Sequence, residues 1–426
     1  MFKGSLTLPV FLILALIMPQ TQVKAQEILT LSQAYTNVMA RNPKVQSHKA
    51  RVMAAEGRRL QESLIPNPEV VFEAENFAGD SPRNGIDAAE YTLGAYQQIE
   101  IAGKRSKREQ VAAIEVQQVS QEALAGIQTT LAQTKAAYMR VAIAQERLSL
   151  AEKRTILADK THTTVKNRIN AAKSADIQHT KADIEVSAAE IEKRKAAKEL
   201  DIAKIELANL MGVAALDADI SYDLTSFPDV PEREALMMAL EQTPMSILRQ
   251  LSVLREKSAL DLARANGVAD PTFGLGLRRF SEDDGTAFLA SISVPINVFD
   301  RNQGRITEAK ANLLTAESEQ QAQRLNLSRQ AEELLQMLIS AKEEVLVYQD
   351  GLLPSAQRAY AQSEEGFDRG AFPFLDLLDA QRTLFDVQKS HLEALASFHK
   401  TKSKIDLLTG EYATIANAVF NTNEKE

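Results

Sequence analysis

Two periodicities alternate along the chain, and the whole series occurs twice. Leu31, Ala34, Tyr35 and Val38 fall at helical spacing, predicting a helix over 29–41 that Asn42-Pro43 breaks. A second helix is predicted from Val45 to about Leu64, ended by Pro66-Asn67-Pro68. The period then shortens to two: residues 69–77 read as a strand, 78–90 as a polar loop, and 91–101 as a returning strand with Tyr91, Leu93, Ala95, Gln97 and Ile99 on one face. Beyond Lys104, Ile127, Leu131, Thr134, Tyr138, Val141, Gln145 and Leu148 step by four and three in turn, the seam of a coiled coil. A single glycine, Gly126, and no proline interrupt 104–164. A polar break over 167–174 and a helix over 176–211 complete a helical hairpin. An arm of about sixty residues would reach about 90 Å.

After a linker over 212–231 the series restarts. Residues 232–242 stand where the first helix stood, Thr243-Pro244 replaces Asn42-Pro43, and Asp270-Pro271 replaces Asn67-Pro68. Phe273, Leu275 and Leu277 share a strand face, and Phe288, Ala290, Ile292 and Val294 share one on the returning strand. A helix from Gly304 to about Ser363 carries Leu327, Ala331, Leu334, Leu338, Ala341, Val345, Tyr348 and Leu352 at the same steps. A turn over 367–373 leads to a return helix over 375–408. The offset stays near 200 residues, which marks a tandem duplication. The expected organisation is a signal peptide over 1–25, a first repeat over 26–211 with its β-hairpin at 69–101, and a linker over 212–231. A second repeat over 232–410 follows, with its β-hairpin at 272–296, and then a C-terminal tail over 411–426.

The fold class is therefore mainly α with a small β part: duplicated long helical hairpins plus four strands per chain. Strands of nine or ten residues suit a tilted transmembrane β-strand. A bilayer tolerates strands only in closed barrels, and four strands cannot close one. The pattern leaves two arrangements open. Either several chains share one barrel with the helical hairpins bundled below it, or two ordinary β-hairpins cap a soluble coiled-coil scaffold.

Composition narrows the chemistry. Aromatic residues make up 5% of the 426 and Trp is absent, which favours an extended helical body over a compact core. A formal charge of -8 argues against nucleic acid as a partner. The absence of Cys excludes disulfides, thiolate chemistry and a cysteine-linked lipid anchor. Lys3, the apolar run 6–18 and Val23-Lys24-Ala25 have the order of an export signal, with the mature chain starting near Gln26. No phosphate-cradling loop or nucleophile elbow occurs, so neither an enzyme nor a bound cofactor is expected. Gly274-x-Gly276 reads as close strand packing. His48, His162, His179, His391 and His399 are scattered without ligand spacing, so no metal site is expected. Glu73 and Glu75 alternate with Phe72 and Ala74, which places the acids toward water and the apolar pair toward lipid. Lys104, Arg105, Lys107 and Arg108 either meet anionic headgroups or begin a solvated helix.

Residues 65–69 (IPNPE), 72–77 (FEAENF), 98–105 (QIEIAGKR) and 294–304 (VPINVFDRNQG) together resemble the outer-membrane factor (TolC-like) family, closest to its CzcC-like heavy-metal efflux branch. The resemblance covers essentially the whole mature chain. It implies a homotrimer with a shared twelve-strand barrel in the outer membrane of a Gram-negative cell and a trimeric helical barrel across the periplasm. It also implies a periplasmic adaptor and an inner-membrane resistance-nodulation-division pump as partners. Metal cations are the substrate of that branch; drug efflux or type I protein secretion is the alternative use of the same channel. The resemblance points to Asp376 and Asp379 as an aspartate constriction at the periplasmic tip, with Asp176 in the equivalent place of the first hairpin. Three apart, Asp376 and Asp379 share a helix face. They are either pore rings or acids set against the helix dipole. The turn residues Asn170, Ser174, Arg369 and Gly370 are the expected adaptor-docking tips, Asn170 and Gly370 sharing a left-handed geometry. Phe372 stands where the family carries an arginine that locks the tip, with Arg168 or Arg369 as substitutes.

Overall fold

The computed structural model describes residues 28–79, 85–170 and 176–421 of the chain, with side chains as far as 417. The expected signal peptide over 1–25 and the turn residue Ser174 lie outside them. The elements repeat in order. The first set is β1 (Ile28–Leu29), α1 (Leu31–Arg41), α2 (Pro43–Ser63), β2 (Glu69–Glu75), β3 (Glu90–Gln98), α3 (Lys104–Asn170) and α4 (Asp176–Met211). The second is β4 (Asp219–Ile220), α5 (Arg233–Glu241), α6 (Pro244–Ala265), β5 (Thr272–Phe280), β6 (Thr286–Ser293), α7 (Gln303–Leu346), α8 (Leu353–Asp368), α9 (Phe374–Leu408) and α10 (Ala413–Asn421). The same device starts α2 and α6. Asn42 Oδ1 accepts from Lys44 N–H at 2.8 Å, Thr243 Oγ1 accepts from Ser246 N–H at 3.3 Å, and a proline follows each cap.

Strands β2, β3, β5 and β6 form one antiparallel sheet in that order. Its register aligns Phe72, Leu93, Leu277 and Phe288 in one row, and Val70, Ala95, Leu275 and Ala290 in the next. This apolar face is uncovered: Phe288 is 89% exposed and Leu275 72%. Glu73 and Glu75 lie on the opposite face, where Arg278 reaches Glu75 at 2.8 Å, Glu90 at 3.0 Å and Thr92 at 2.9 Å. The Gly274-x-Gly276 pair packs closely, as its spacing predicts. A Cβ at Gly276 would stand 3.0 Å from the Leu93 carbonyl, and the Tyr96 ring fills the space over Gly274.

Both strand-to-helix crossovers converge on the loop between α6 and β5. Lys104 Nζ donates to Val268 O at 2.6 Å and pairs with Asp270 at 2.7 Å, while Asp270 also accepts from Ile101 N–H. In the second crossover Asn302 takes a left-handed conformation, φ 61°. Asp300 accepts its N–H at 2.8 Å, its amide donates to Ala263 O at 2.6 Å, and Asn297 donates to Gly267 O at 2.7 Å. Gly267 is needed there, because a Cβ would meet the Arg301 carbonyl at 2.8 Å. The lysine is buried, so of the two readings of the basic run the headgroup contact does not hold for Lys104. Arg108 is likewise paired, with Glu100 and Glu62.

Ile127, Leu131, Thr134, Tyr138 and Val141 are fully buried along the first seam, and Leu327, Ala331, Leu338, Ala341 and Val345 are buried along the second. The apolar ones form one core with α1, α4, α5 and α9. There β1 pairs in parallel with β4, and Tyr138 Oη donates to the Leu29 and Ser221 carbonyls at 2.7 and 3.0 Å. Gly126 makes room for the His48 ring of α2, which lies where a Cβ would be.

Three expectations change. Helix α3 runs six residues past 164, to Asn170, because its hydrogen-bonded ladder continues through the polar residues. The arm starting near Gly304 is not one uniform α-helix. A π turn over Val347–Leu352 separates α7 from α8, next to Pro354, which has no N–H to continue the α ladder. The segment over 411–426, expected as a tail, carries α10, with Tyr412 and Ala416 buried and Tyr412 edge-on to Tyr35.

Candidate functional site

The candidate site is the turn end of the two helical hairpins. The turns are held side by side by an apolar cluster of Val165 and Ala182 from the first hairpin with Phe367, Phe374, Leu377 and Leu378 from the second. Helix α8 stops in a glycine-terminated cap: Gly370, φ 79°, donates to Phe367 O at 2.9 Å and Ala371 N–H to Gly366 O at 2.8 Å. Phe372 folds back over Gly366, occupying the volume of its missing Cβ. The position without the family arginine thus closes the turn with an aromatic ring. Arg168 reaches across from α3, donating to the Phe367 carbonyl and stacking 4.3 Å from the Phe367 ring centroid. Of the two substitutes, Arg168 joins the hairpins, whereas Arg369 pairs within its own helix with Glu365. Asn170 does not share Gly370's geometry. It is the last residue of α3, absent from the left-handed positions, because the helix continues through it.

Asp376 and Asp379 are exposed in the first turns of α9, on the side opposite buried Phe374, Leu377 and Leu378. Among the described residues, neither carboxylate takes a hydrogen bond or ion pair. Asp176, also exposed, opens α4. Among the described residues no hydrogen bond or ion pair joins Asp176 to the α9 pair, so the three do not form a preformed cluster there.

Above the tip the first hairpin is laced by a ladder. Arg140, Arg147 and Arg154, seven apart on α3, pair with Glu206, Glu199 and Glu192, seven apart on α4. Arg154 also reaches buried Glu185 at 2.7 Å, and Arg382 of α9 reaches Glu185 at 2.8 Å, tying the hairpins together. Burial pushes the Glu185 carboxyl up, but the two guanidiniums outweigh it and hold it below the usual carboxylate range. The same register brings together residues that lie far apart in sequence. His162 and His179 meet edge to face, ring centroids 4.9 Å apart, and Asp183 touches both. Linear spacing missed this group. The signal lay in His179 and Asp183, one helical turn apart, and in the Arg–Glu ladder, which carries residues near 162 opposite 183.

A sequence model described as outer membrane efflux protein matches residues 34–213 and 255–411, well over half of the chain. The chain belongs to the outer membrane efflux protein family. Its members are transport channels, not enzymes. The cobalt-zinc-cadmium resistance protein CzcC of Cupriavidus metallidurans is 28% identical over 384 residues, covering 90% of each chain. Among solved structures, the outer-membrane channel OprN superposes with a TM-score of 0.76 at 16% identity, over 89% of each chain. The outer membrane protein VceC of Vibrio cholerae gives 0.72 at 16% identity, over 90% of this chain and 95% of that one. The efflux protein therefore has the fold of these outer-membrane channels: long helical hairpins joined to a small sheet. Among its described residues no helix is long and apolar enough to cross a membrane.

Proposed function

We propose that this efflux channel is the outer-membrane exit duct of a tripartite resistance-nodulation-division system that exports heavy-metal cations. The likeness to CzcC along 90% of the chain carries the substrate class. The described sheet supports a barrel shared between copies. Its order leaves β2 and β6 as open edges, and its apolar face is uncovered, a combination that a bilayer accepts only after closure. Three copies supply twelve strands. On α4, Ile177, Ile184 and Ile191 form an exposed stripe seven residues apart, suited to a neighbouring copy's helix. These features also oppose the soluble scaffold.

In the trimer Asp376, Asp379 and Asp176 gather as acidic rings at the periplasmic tip, attracting cations and repelling anions. The turns around Asn170, Ser174, Arg369 and Gly370 receive the adaptor. Energy comes from the inner-membrane pump, and the duct itself is passive. The test is growth of the host lacking this chain on graded Zn2+, Co2+ and Cd2+. Sensitivity restored by the wild-type chain is the expected result. Unchanged metal tolerance together with hypersensitivity to organic drugs, or loss of a secreted protein, would replace the metal reading with one of the other two uses.

A further inference from the structure

Between the ion-pair ladder and the first turn, three metal-ligating side chains converge from both arms of one hairpin. His162 Nε2 of α3 lies 2.9 Å from Asp183 Oδ1, and His179 Nδ1 of α4 lies 2.8 Å from Asp183 Oδ2. One ligand atom from each side chain falls within 4.8 Å of the others. The contacts differ in kind. His179 and Asp183 share a hydrogen bond, but His162 Nε2 is buried and, although 2.9 Å from the carboxylate, makes no hydrogen bond among the described residues because the contact lacks the required alignment. A buried nitrogen left in this state, beside a second imidazole and a carboxylate, is what an ion would complete.

We propose that His162, His179 and Asp183 form a divalent-cation site that fastens the turn end of the first helical hairpin. Two imidazoles and a carboxylate suit a borderline cation of the Zn2+ class, and the chain offers no thiolate for softer ions. Zn–N and Zn–O distances of about 2.0–2.2 Å place tetrahedral ligand atoms about 3.3–3.6 Å apart, within the 4.8 Å span of the three present atoms, so side-chain rotations suffice. The ion would take up the position where the carboxylate now meets the imidazoles, with water as fourth ligand because Asp183 is half exposed. Since His162 comes from α3 and the other two from α4, the bound ion cross-links the arms close to a turn read above as an adaptor-docking tip. The site is a separate claim from the cargo: a protein that exports no metal could hold it, and a metal duct could lack it.

The experiment is calorimetric titration of the purified full chain with Zn2+ alone, with Co2+ absorption reporting coordination number. The wild type should bind one Zn2+ per chain at this site and give an intense four-coordinate Co2+ spectrum. Losing an outer-shell partner alone weakens metal sites about 10–100-fold, so His162→Ala and His179→Ala should each weaken binding at least about 100-fold. Asp183→Asn, a half-exposed change that retains both rings, guards against variants that lose their fold; it should also remove the Zn2+-induced rise in melting temperature. Wild-type binding no tighter than that of the three variants, or no thermal shift at saturating Zn2+, overturns the site. Each readout is taken on isolated protein, so it stands apart from the growth assay of export.

Discussion

Glu185 shows how single residues hold the two hairpins together. It is buried, yet it stays ionised because Arg154 and Arg382 donate to it from different hairpins. Its folded-state pKa is depressed, so its stabilising contribution is complete above the ordinary glutamate value and disappears as pH falls through the folded value. Glu185→Gln removes the charge that both guanidiniums share, but Arg154 keeps Glu192 and Arg382 is half exposed, so the change should cost about 1–2 kcal/mol at neutral pH. The deficit relative to wild type should shrink below about pH 4. Thermal melts of the helical signal at pH 7 and pH 3 check this, and an equal gap at both would remove charge as the cause. Half of this arrangement was legible: arginines and glutamates at intervals of seven imply a paired face. Arg382 was not, because it comes from the other repeat and meets Glu185 only after the hairpins dock.

At the scale of elements the strands were the clearest reading. Alternation assigned each strand an apolar face, and the register merges those faces into one, with Phe72, Leu93, Leu277 and Phe288 side by side. Phe288→Arg should therefore oppose membrane insertion by about 2–4 kcal/mol at mid-depth, whereas Glu73→Arg on the opposite face should be tolerated. The fraction of each variant recovered in the outer-membrane pellet checks the assignment, and equal recovery would mean that the two faces share one environment. Helix ends were less legible. The polar stretch before residue 171 looked like a break but remains helical, since exposed polar side chains do not interrupt backbone hydrogen bonds. The π turn beside Pro354 depends on how one missing N–H is accommodated, which periodicity does not report.

The acidic tip belongs to the whole molecule, because a ring exists only when copies surround an axis. Asp376 and Asp379 share the solvent side of α9 and have no compensating cation among the described residues. With both changed to alanine, the channel in a planar bilayer should lose cation preference and become insensitive to polyvalent cation block. Unchanged selectivity would return these acids to the helix-dipole reading. At this scale the turn geometry corrected one expectation, since Gly370 is left-handed and Asn170 is not. Within the chain, Arg168 bridges to the Phe367 carbonyl while Phe372 covers Gly366.

By itself the sequence determined the features that depend on neighbours along the chain: the two periods, the proline breaks between helices, the duplication and the family. The periods and the duplication follow from side chains repeating at the pitch of a helix or strand, whereas the family was carried by short motifs such as IPNPE and VPINVFDRNQG. Only the tertiary structure decided which distant groups meet. Lys104 on Asp270, Arg382 on Glu185, and His162 on His179 and Asp183 join positions whose separation in the chain says nothing of their separation in space. Those meetings depend on hairpin register and on docking of the two repeats, and burial of apolar seams, rather than the charges themselves, sets both.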